Sequence, residues 1–341
     1  MKLIGTSALV LGLAAVIALV AWHGIGTVAA ALASLGIAVL ALPLLYAPHI
    51  AGAAFSWRQI FPQSVLPRFA VILRAMWIGL AAESLVPGAS FGAEIVKARQ
   101  LLRAGLPGRD AASLVIVDMA IQGLVLAVWG VLGLGGLIVT LAAPPAGGMA
   151  PGGPNLIAPA LFGAGLLAAA ILALILAQRA GFFGFLARLG GRAIRDRRWQ
   201  GVIDGAAQLD QAIRDLYRQP GRIVLATAIR CCSRAMLAVE LIFAAGVMGH
   251  ALPAAAAAML VGLIGALRAA AFVVPGGWGV QEGGFVLLGG LAGLDAETML
   301  ALSLAIRARE LMLFVPALLV WQAAEGRALR DLARPPAASD R

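Results

Sequence analysis

The sequence has few charged residues and almost no cysteine, and each shortage excludes a class of protein. Only 12% of its 341 residues are charged, whereas a soluble chain carries about 25%. The two cysteines, Cys231 and Cys232, are adjacent, which gives neither a disulfide framework nor a metal site. The apolar runs are long and show no strand-like alternation, which excludes a membrane barrel. Because 62% of the residues are hydrophobic, we predict an all-α polytopic integral membrane protein.

The signatures of soluble enzymes and of nucleic-acid binding are also missing. No P-loop, H-E-x-x-H or Cys/His metal spacing occurs, so we expect no cofactor, no metal and no catalytic residue. Residues 88–92 match G-x-S-x-G, but a hydrolase elbow needs a preceding strand, and this stretch is helical and apolar. The net charge is +10. Its arginines cluster beside apolar spans, as the positive-inside rule requires, which argues against nucleic acid.

Two helix-breaking stretches lie inside tracts apolar enough to cross a membrane. We call residues 86–94 the first break and residues 274–284 the second break. Each opens with Val-Pro-Gly and has a glutamate seven residues after its proline. Interrupted apolar segments at matching places in two halves are the best sequence pointer to a transport site at the membrane midplane. The predicted re-entrant turns comprise Pro87, Gly88, Gly92, Pro275, Gly276, Gly277, Trp278 and Gly279.

Apolar length and loop charge predict the topology. The expected full spans are 3–22, 27–46, 111–140, 156–178, 221–248 and 298–321, with residues 47–68 as a loop. Residues 69–95 and 254–294 form two further helical hairpins. Lys97, Arg99, Arg103 and Arg109 indicate that the stretch after the first break is cytoplasmic. The first hairpin then opens from inside and the second from outside, which predicts an inverted repeat with both termini in the cytoplasm.

This topology divides the chain into one membrane domain, 1–324, and a cytoplasmic tail, 325–341, predicted to be disordered. The membrane domain has a first half at 1–178 and a second half at 221–324. Between them, residues 179–220 form a cytoplasmic segment whose Arg and Trp content suits an amphipathic helix at an anionic membrane surface.

The strongest site candidates are the glutamates of the two breaks, Glu94 and Glu282. A carboxylate in a broken membrane helix costs several kcal/mol unless it is paired or hydrated. Such a glutamate either couples transport to protons or contacts the head group of a lipid. Alternatively, it caps the N-terminus of a half-helix, where backbone donors favour negative charge.

Further charges lie in otherwise apolar helices near the breaks. Arg268, Arg307, Arg309 and Glu310 gather near the second break, where they form a cationic cavity for a lipid phosphate or a buried structural ion pair. Arg307 and Glu310 are spaced for an i, i+3 pair. Near the first break, Arg74 and Glu83 accompany Asp118, which has only apolar neighbours. Trp278 is expected to pack against helices more readily than to stack on a ligand.

The second break and the helix that follows it resemble a known family. Residues 275–284, Pro-Gly-Gly-Trp-Gly-Val-Gln-Glu-Gly-Gly, resemble the motif of the flippase-like family called the lysylphosphatidylglycerol synthase transmembrane region. The run 301–311 and the earlier Pro-Gly-x-x-x-Gly-x-Glu support this resemblance. Residues 283–285, 307–311 and 321–322 look closest to the branch associated with hopanoid biosynthesis.

The resemblance implies a bacterial inner-membrane protein that moves, or helps to move, a polar or modified lipid between leaflets. Glu94 and Glu282 with their Pro-Gly turns would be core positions, and Arg307 and Arg309 the arginines of the last span. In two-part members the aminoacyl transferase is a soluble domain, and the sequence ends at Arg341, so we expect no lysyl transfer.

Two other functions remain open from the residues. One is a membrane enzyme that transfers a group to a lipid head, with a donor site in the arginine-rich residues 179–222. The other is a non-catalytic scaffold for lipid-biosynthesis enzymes. In all three cases the expected partner is a membrane lipid with an anionic or polar head group.

Overall fold

The described part of the chain is entirely helical. The computed structural model describes residues 33–86, 92–142, 198–271 and 274–333, together with isolated positions between 21 and 185. Its α-helices are α1 Ala41–Ile60, α2 Phe69–Leu85, α3 Gly92–Arg103, α4 Gly108–Ala142, α5 Arg198–Tyr217, α6 Pro220–Val247, α7 Ala254–Ala270, α8 Val280–Leu291 and α9 Ala296–Ala333. Short 3₁₀ helices occupy Gly36–Leu40, Gln63–Val65 and Pro275–Gly277. No strand occurs in these residues, which agrees with the all-α prediction.

Several predicted elements are confirmed by these bounds. The stretches predicted as spans at 111–140 and 221–248 form the helices α4 and α6, and the polar helix predicted before Tyr217 is α5. The second hairpin is α7 and α8, separated by the 3₁₀ turn at the second break. Apart from isolated positions, the predicted spans 3–22 and 156–178 lie outside the described residues, as do the turn residues Pro87 and Gly88.

The predicted loop at 47–68 is wrong over its first part. The helix continues through Pro48 to Ile60 and so runs past residue 46, where the predicted span ends. Ala53, Ala54 and Trp57 are buried in the core, and α1 packs along α6. Apolar packing on a neighbouring helix therefore outweighs the backbone hydrogen bond that a proline removes.

The second limb of the first hairpin extends to Arg103 and does not end at residue 95. Lys97, predicted in a cytoplasmic stretch, is fully buried. Gly79 of α2 leaves space for it, since a Cβ there would lie 2.6 Å from the Lys97 Cγ atom. At the other end, α9 continues to Ala333, so residues 325–333 of the predicted disordered tail are helical.

Two described helical stretches are long and apolar enough to cross a membrane, Gly36–Ile60 with 25 residues and Gly108–Leu141 with 34. Helices α6 and α9 are also long, with 28 and 38 residues. Both carry several buried charged side chains, among them Arg230, Glu240, Arg307 and Arg309. The count of six full spans stays a prediction.

The helices pack in two corresponding sets, α1–α4 and α6–α9. Helix α1 packs on α6, α4 packs on α7, and α2 packs on α9. Within the sets, α1–α2, α2–α3 and α3–α4 correspond to α6–α7, α7–α8 and α8–α9. If α1, α2, α3 and α4 are exchanged with α6, α7, α8 and α9 in that order, each of these contacting pairs becomes a pair that is also in contact. Helices α4 and α7 cross closely at two glycines: a Cβ on Gly133 would lie only 3.0 Å from the Gly262 Cα. Small residues allow such a close approach of two helices.

Candidate functional site

The second break has a backbone that only glycine adopts without strain. Gly276, Gly277 and Gly279 have φ values of 59°, 63° and 79°. A Cβ on Gly276 would also clash with the carbonyl oxygen of Ser84 in α2. Because Ser84 lies just before the first break, the second break packs against the helix end from which the first one starts.

Arg307 of α9 binds both the backbone and the carboxylates at the second break. Its Nη1 donates to the Gly276 carbonyl oxygen at 2.9 Å and its Nη2 to that of Gly277 at 3.2 Å. Its Nε donates to Glu282 Oε1 at 2.7 Å, and Nη1 also reaches Glu310 Oε2 at 2.9 Å. The break frees carbonyl groups from helical hydrogen bonds, and this guanidinium satisfies two of them.

Glu282 is a helix cap as well as an ion-pair partner. Its Oε2 accepts a hydrogen bond from the Gly279 N–H at 2.7 Å, so each carboxylate oxygen has a partner. Arg268 donates to Glu310 Oε1 at 3.1 Å and to Gln281 Oε1 at 2.7 Å. We call Arg268, Gln281, Glu282, Arg307 and Glu310 the second cluster.

Trp278 contacts the second cluster through its ring. The Arg307 guanidinium lies 4.5 Å from its ring centroid, a cation–π geometry. Trp278 does not line the cavity described below. These contacts agree with packing as the role of this side chain.

A corresponding group of charges lies around α3, and we call Glu94, Lys97, Asp118, Gln122 and Arg230 the first cluster. Lys97 Nζ donates to Glu94 Oε1 at 2.9 Å and to Asp118 Oδ2 at 3.4 Å. Arg230 of α6 donates to Asp118 Oδ1, and Gln122 Nε2 donates to Asp118 Oδ2 at 3.0 Å. Asp118 and Lys97 are fully buried, and pairing offsets the cost of that burial.

Glu94 differs from the rest of the first cluster in one oxygen. Its Oε2 is buried and has no hydrogen-bond partner in the described part of the chain. Its side chain is 13% exposed and lines the cavity. This oxygen can therefore accept a proton or a donor from a ligand, which Glu282 cannot do without losing a bond.

A third pair links α9 to α6. Arg309 Nε donates to Glu240 Oε1 at 2.9 Å, and the guanidinium lies 3.7 Å from the Tyr46 ring centroid. Arg309 and Arg307 contact different partners, and both are buried within the protein. The Arg309 Nη1 atom has no partner among the described residues.

These three groups surround a cavity of about 440 Å³ between the two helix sets. Both sets contribute to its wall. Its charged and polar lining includes Tyr46, His49, Glu83, Ser84, Glu94, Gln122, Arg230, Arg234, Glu240, Arg268, Gln281, Arg309 and Glu310. The remaining lining is mainly apolar, with residues such as Leu80, Leu126, Leu237 and Ile264.

The structure brings the sequence-predicted charges together. Glu94, Arg268, Arg309 and Glu310 line the cavity, whereas Asp118, Glu282 and Arg307 lie behind it and bind the lining residues or the break. Gly276 and Gly277 also line the cavity. Of the remaining predicted turn residues, Gly92 begins α3 and Pro275 begins the 3₁₀ turn.

The sequence prediction missed Lys97, Gln122, Arg230, Arg234 and Glu240 as site residues. A signal was present for three of them, because Arg230, Arg234 and Glu240 interrupt an apolar span, and an ionisable residue inside a membrane indicates function. Lys97 gave no such signal, since it belongs to a basic stretch with the composition of a cytoplasmic loop.

Comparison with known proteins gives one match. The family model described as the lysylphosphatidylglycerol synthase TM region matches residues 9–317, which include every described helix except the end of α9. No curated protein and no solved structure matches the chain.

Proposed function

Because the chain belongs to the family of the lysylphosphatidylglycerol synthase TM region, a membrane-embedded domain linked to lipid modification or transport, we propose that it is a lipid flippase. The polar head of a lipid enters the cavity and crosses between leaflets of the bacterial inner membrane. The acyl or polycyclic tail stays in the bilayer.

The charged cavity between the helix sets is the observation that carries this proposal. Ionisable side chains within a membrane cost several kcal/mol unless they are paired or hydrated, and they mark substrate pathways. A volume of about 440 Å³ lies in the range of roughly 300–1,000 Å³ found for small-molecule sites. It suits a head group and is too small for a whole lipid.

The matching helix pairs support an inverted repeat as the means of transport. In such proteins one repeat rocks against the other around a fixed central site. The second break packs against α2 at Ser84, so a movement of either set shifts a wall of the cavity. With the termini in the cytoplasm, the first hairpin opens from inside and the second from outside.

Glu94 is the residue through which transport couples to protons. Its side chain lines the cavity and one of its oxygens has no hydrogen-bond partner among the described residues, while its partner Lys97 already has a second carboxylate, Asp118, within 3.4 Å. Protonation of Glu94 therefore leaves Lys97 paired, which keeps the charge balance of the buried cluster. Glu282 has no comparable freedom because both of its oxygens are bonded.

A hopanoid or a polar derivative of one is the proposed cargo, on the basis of the resemblance to the hopanoid-associated branch. The enzymes that make or modify this lipid are the proposed protein partners. A scaffold role does not require a cavity with charged walls.

Reconstitution into vesicles tests the proposal. The wild-type protein should expose a fluorescent head-labelled lipid of the inner leaflet to a membrane-impermeant quencher faster than empty vesicles do. The Glu94→Gln variant should lose the dependence of that rate on a pH gradient. Equal rates with and without protein would contradict transport, and a change in the mass of the lipid would indicate a transferase instead.

A further inference from the structure

Two residues of opposite charge occupy corresponding positions in the first helices of the two hairpins. Helices α2 and α7 have 17 residues each, and they correspond to each other when the two helix sets are exchanged. Glu83 lies two residues before the last residue of α2, and Arg268 lies two residues before the last residue of α7. Both side chains line the cavity, so each helix set contributes one of the two charges to its wall.

These two residues lie at the exposed end of the cavity. Of the lining residues that the structure describes, only Glu83 and Ala269, the neighbour of Arg268, are exposed. The Arg268 side chain is itself 29% exposed, whereas the carboxylate of Glu310 that it contacts is buried. The mouth of the cavity therefore lies between the C-terminal ends of α2 and α7.

Glu83 differs from the other lining carboxylates in having no ion pair. The others each have a cation within 4.0 Å: Glu94, Glu240 and Glu310. No cation lies within that distance of Glu83 in the described part of the chain, and its charge acts from farther away on Arg234 and Arg268. An ionisable side chain in an apolar membrane helix is costly unless it is paired or hydrated. The position of Glu83 therefore suits a hydrated, open mouth, and a dry, closed mouth would require a cation beside it.

Arg268 is able to supply that cation without leaving another charge unpaired. It donates to Gln281 Oε1 at 2.7 Å and to Glu310 Oε1 at 3.1 Å. If Arg268 turns away, Glu310 keeps the Arg307 Nη1 donor at 2.9 Å, and Gln281 still donates to the Ser303 hydroxyl at 3.1 Å. The second cluster therefore stays charge-balanced when Arg268 changes partner.

Arg234 is less free to move than Arg268. Its Nη2 atom lies so close to α7 that a Cβ on Gly265 would clash with it. Gly265 precedes Arg268 by three residues, so the two positions are neighbours on one face of α7. Arg234 thus attracts Glu83 toward this face, while the more exposed Arg268 is the side chain that can reach it.

We propose that Glu83 and Arg268 form an ion-pair gate at the mouth of the cavity. The two side chains are apart in this structure, and they pair when no head group occupies the cavity. Pairing removes the unpaired carboxylate from contact with the bilayer, and an entering head group with its water takes the place of the pair. The inference rests on the proposed function and adds the residues that control access to the transport cavity.

The reaction rate of a single cysteine inside the cavity measures how far the gate is open. Leu126→Cys, in a chain whose two native cysteines are replaced by serine, places a thiol in the lining. Glu83→Gln and Arg268→Gln should each raise its rate of reaction with a charged thiol reagent about two- to fivefold, the effect of losing a partly exposed ion pair. The double variant should react no faster than the faster single variant, because both changes break the same contact.

Arg74→Gln is the matched control for these rates. Arg74 is an exposed charge on the same helix as Glu83 and does not line the cavity. Its variant should label Leu126→Cys at the wild-type rate, which separates opening of the gate from a general loosening of α2.

Cross-linking tests the proposed contact directly. In the same cysteine-free background, the double variant Glu83→Cys/Arg268→Cys should form a disulfide under mild oxidation. This disulfide should stop lipid transport in vesicles, and a reductant should restore it. Glu83→Cys/Val131→Cys should remain unlinked, because Val131 is 55% exposed on α4 and does not line the cavity.

Two results would overturn the gate. One is a labelling rate of Leu126→Cys that stays unchanged in Glu83→Gln and Arg268→Gln, or that rises additively in the double variant. The other is a disulfide in Glu83→Cys/Arg234→Cys and none in Glu83→Cys/Arg268→Cys, which would make Glu83 a fixed partner of Arg234.

The same measurements distinguish failure of the gate from failure of the flippase proposal. If labelling and cross-linking follow the prediction but the wild type moves no lipid, transport is wrong and the gate stands. If the wild type moves lipid and the oxidised Glu83→Cys/Arg268→Cys variant moves it equally well, the gate is wrong and transport stands.

Discussion

The two breaks carry the same motif but end in clusters of different rigidity. Each places a glutamate at the third residue of the following helix, Glu94 in α3 and Glu282 in α8. Glu282 uses both oxygens, one on Arg307 at 2.7 Å and one on the Gly279 N–H at 2.7 Å. Glu94 uses one oxygen, and its partner Lys97 is shared with Asp118.

The source of the cation explains the difference. In the second cluster the arginine comes from another helix and also binds two backbone carbonyls of the break, so the break, α8 and α9 are tied together. In the first cluster the lysine comes from the same helix as the glutamate, three residues away. A lysine ammonium is a point charge on a flexible stem and exchanges partners more readily than an arginine fork does. We therefore expect the second cluster to stabilise the fold and the first cluster to take up a proton or bind a ligand.

The largest effect should follow from removing the cation of the second cluster. Arg307→Ala leaves Glu282 and Glu310 without their shared partner, and breaking a buried ion pair in this way costs about 3–5 kcal/mol. We expect loss of the monodisperse protein or a strong fall in its unfolding midpoint in detergent. Arg307→Lys should recover only part of the lost unfolding midpoint, because one ammonium cannot reach both carboxylates and both carbonyls. A midpoint equal to wild type would contradict the role of this residue.

Substitution of Glu282 should mainly lower stability, whereas substitution of Glu94 should mainly affect transport. Glu282→Gln weakens a charge-assisted bond to Arg307 and the helix cap, at about 1.5–3 kcal/mol. Glu94→Gln keeps the size of the side chain and leaves Lys97 its bond to Asp118, so its unfolding midpoint should fall less. Its proton-dependent transport should nevertheless be lost. Thermal unfolding and the vesicle assay, run on both variants, check this, and equal losses in stability would refute the comparison.

A smaller effect should come from the backbone of the second break. Gly276→Ala puts a side chain at a φ of 59°, and such strain costs about 1–3 kcal/mol. The new Cβ would also clash with the Ser84 carbonyl oxygen and separate α2 from the break. Gly283→Ala is the matched control, because nothing lies within 4 Å of a Cβ there. Chemical denaturation should distinguish the two, and similar values would mean that the breaks do not touch.

The smallest effect should come from Trp278. Trp278→Leu removes its contact with the Arg307 guanidinium, and such a cation–π contact contributes about 0.5–2 kcal/mol. Since Trp278 does not line the cavity, lipid transport by the folded variant should equal that of wild type. A transport defect without a loss of stability would place Trp278 against the ligand instead.

Local sequence rules predicted what depends on local spacing. Apolar length located α4 and α6, the Pro-Gly triplets located the second break, and i, i+3 spacing predicted the Arg307–Glu310 pair, which the structure confirms at 2.9 Å. The Arg230–Asp118 and Arg309–Glu240 pairs are 112 and 69 residues apart in sequence. No local rule connects such residues, so these pairs required the packing of α6 against α4 and α9.

Two errors have the same physical origin. Residues 47–68, which include Pro48, were expected to form a loop and Lys97 to lie in a cytoplasmic stretch, because only the local chain was considered. In the structure, packing on α6 keeps α1 helical beyond Pro48, and two carboxylates with a glycine opposite make a site for Lys97. Tertiary contacts therefore decide the features that build the cavity.

Cysteine accessibility in membranes tests most directly whether the two helix sets enclose a polar, lipid-binding cavity. Cys231 and Cys232 are first replaced by serine, and a single cysteine is then placed at Leu126, which lines the cavity, or at Val131, which is 55% exposed on the same helix. We predict that Leu126→Cys reacts with a charged thiol reagent and is protected by an anionic short-chain lipid, whereas Val131→Cys reacts only with a membrane-soluble one. Equal behaviour of the two positions toward the charged reagent, or no protection by the lipid, would contradict the account.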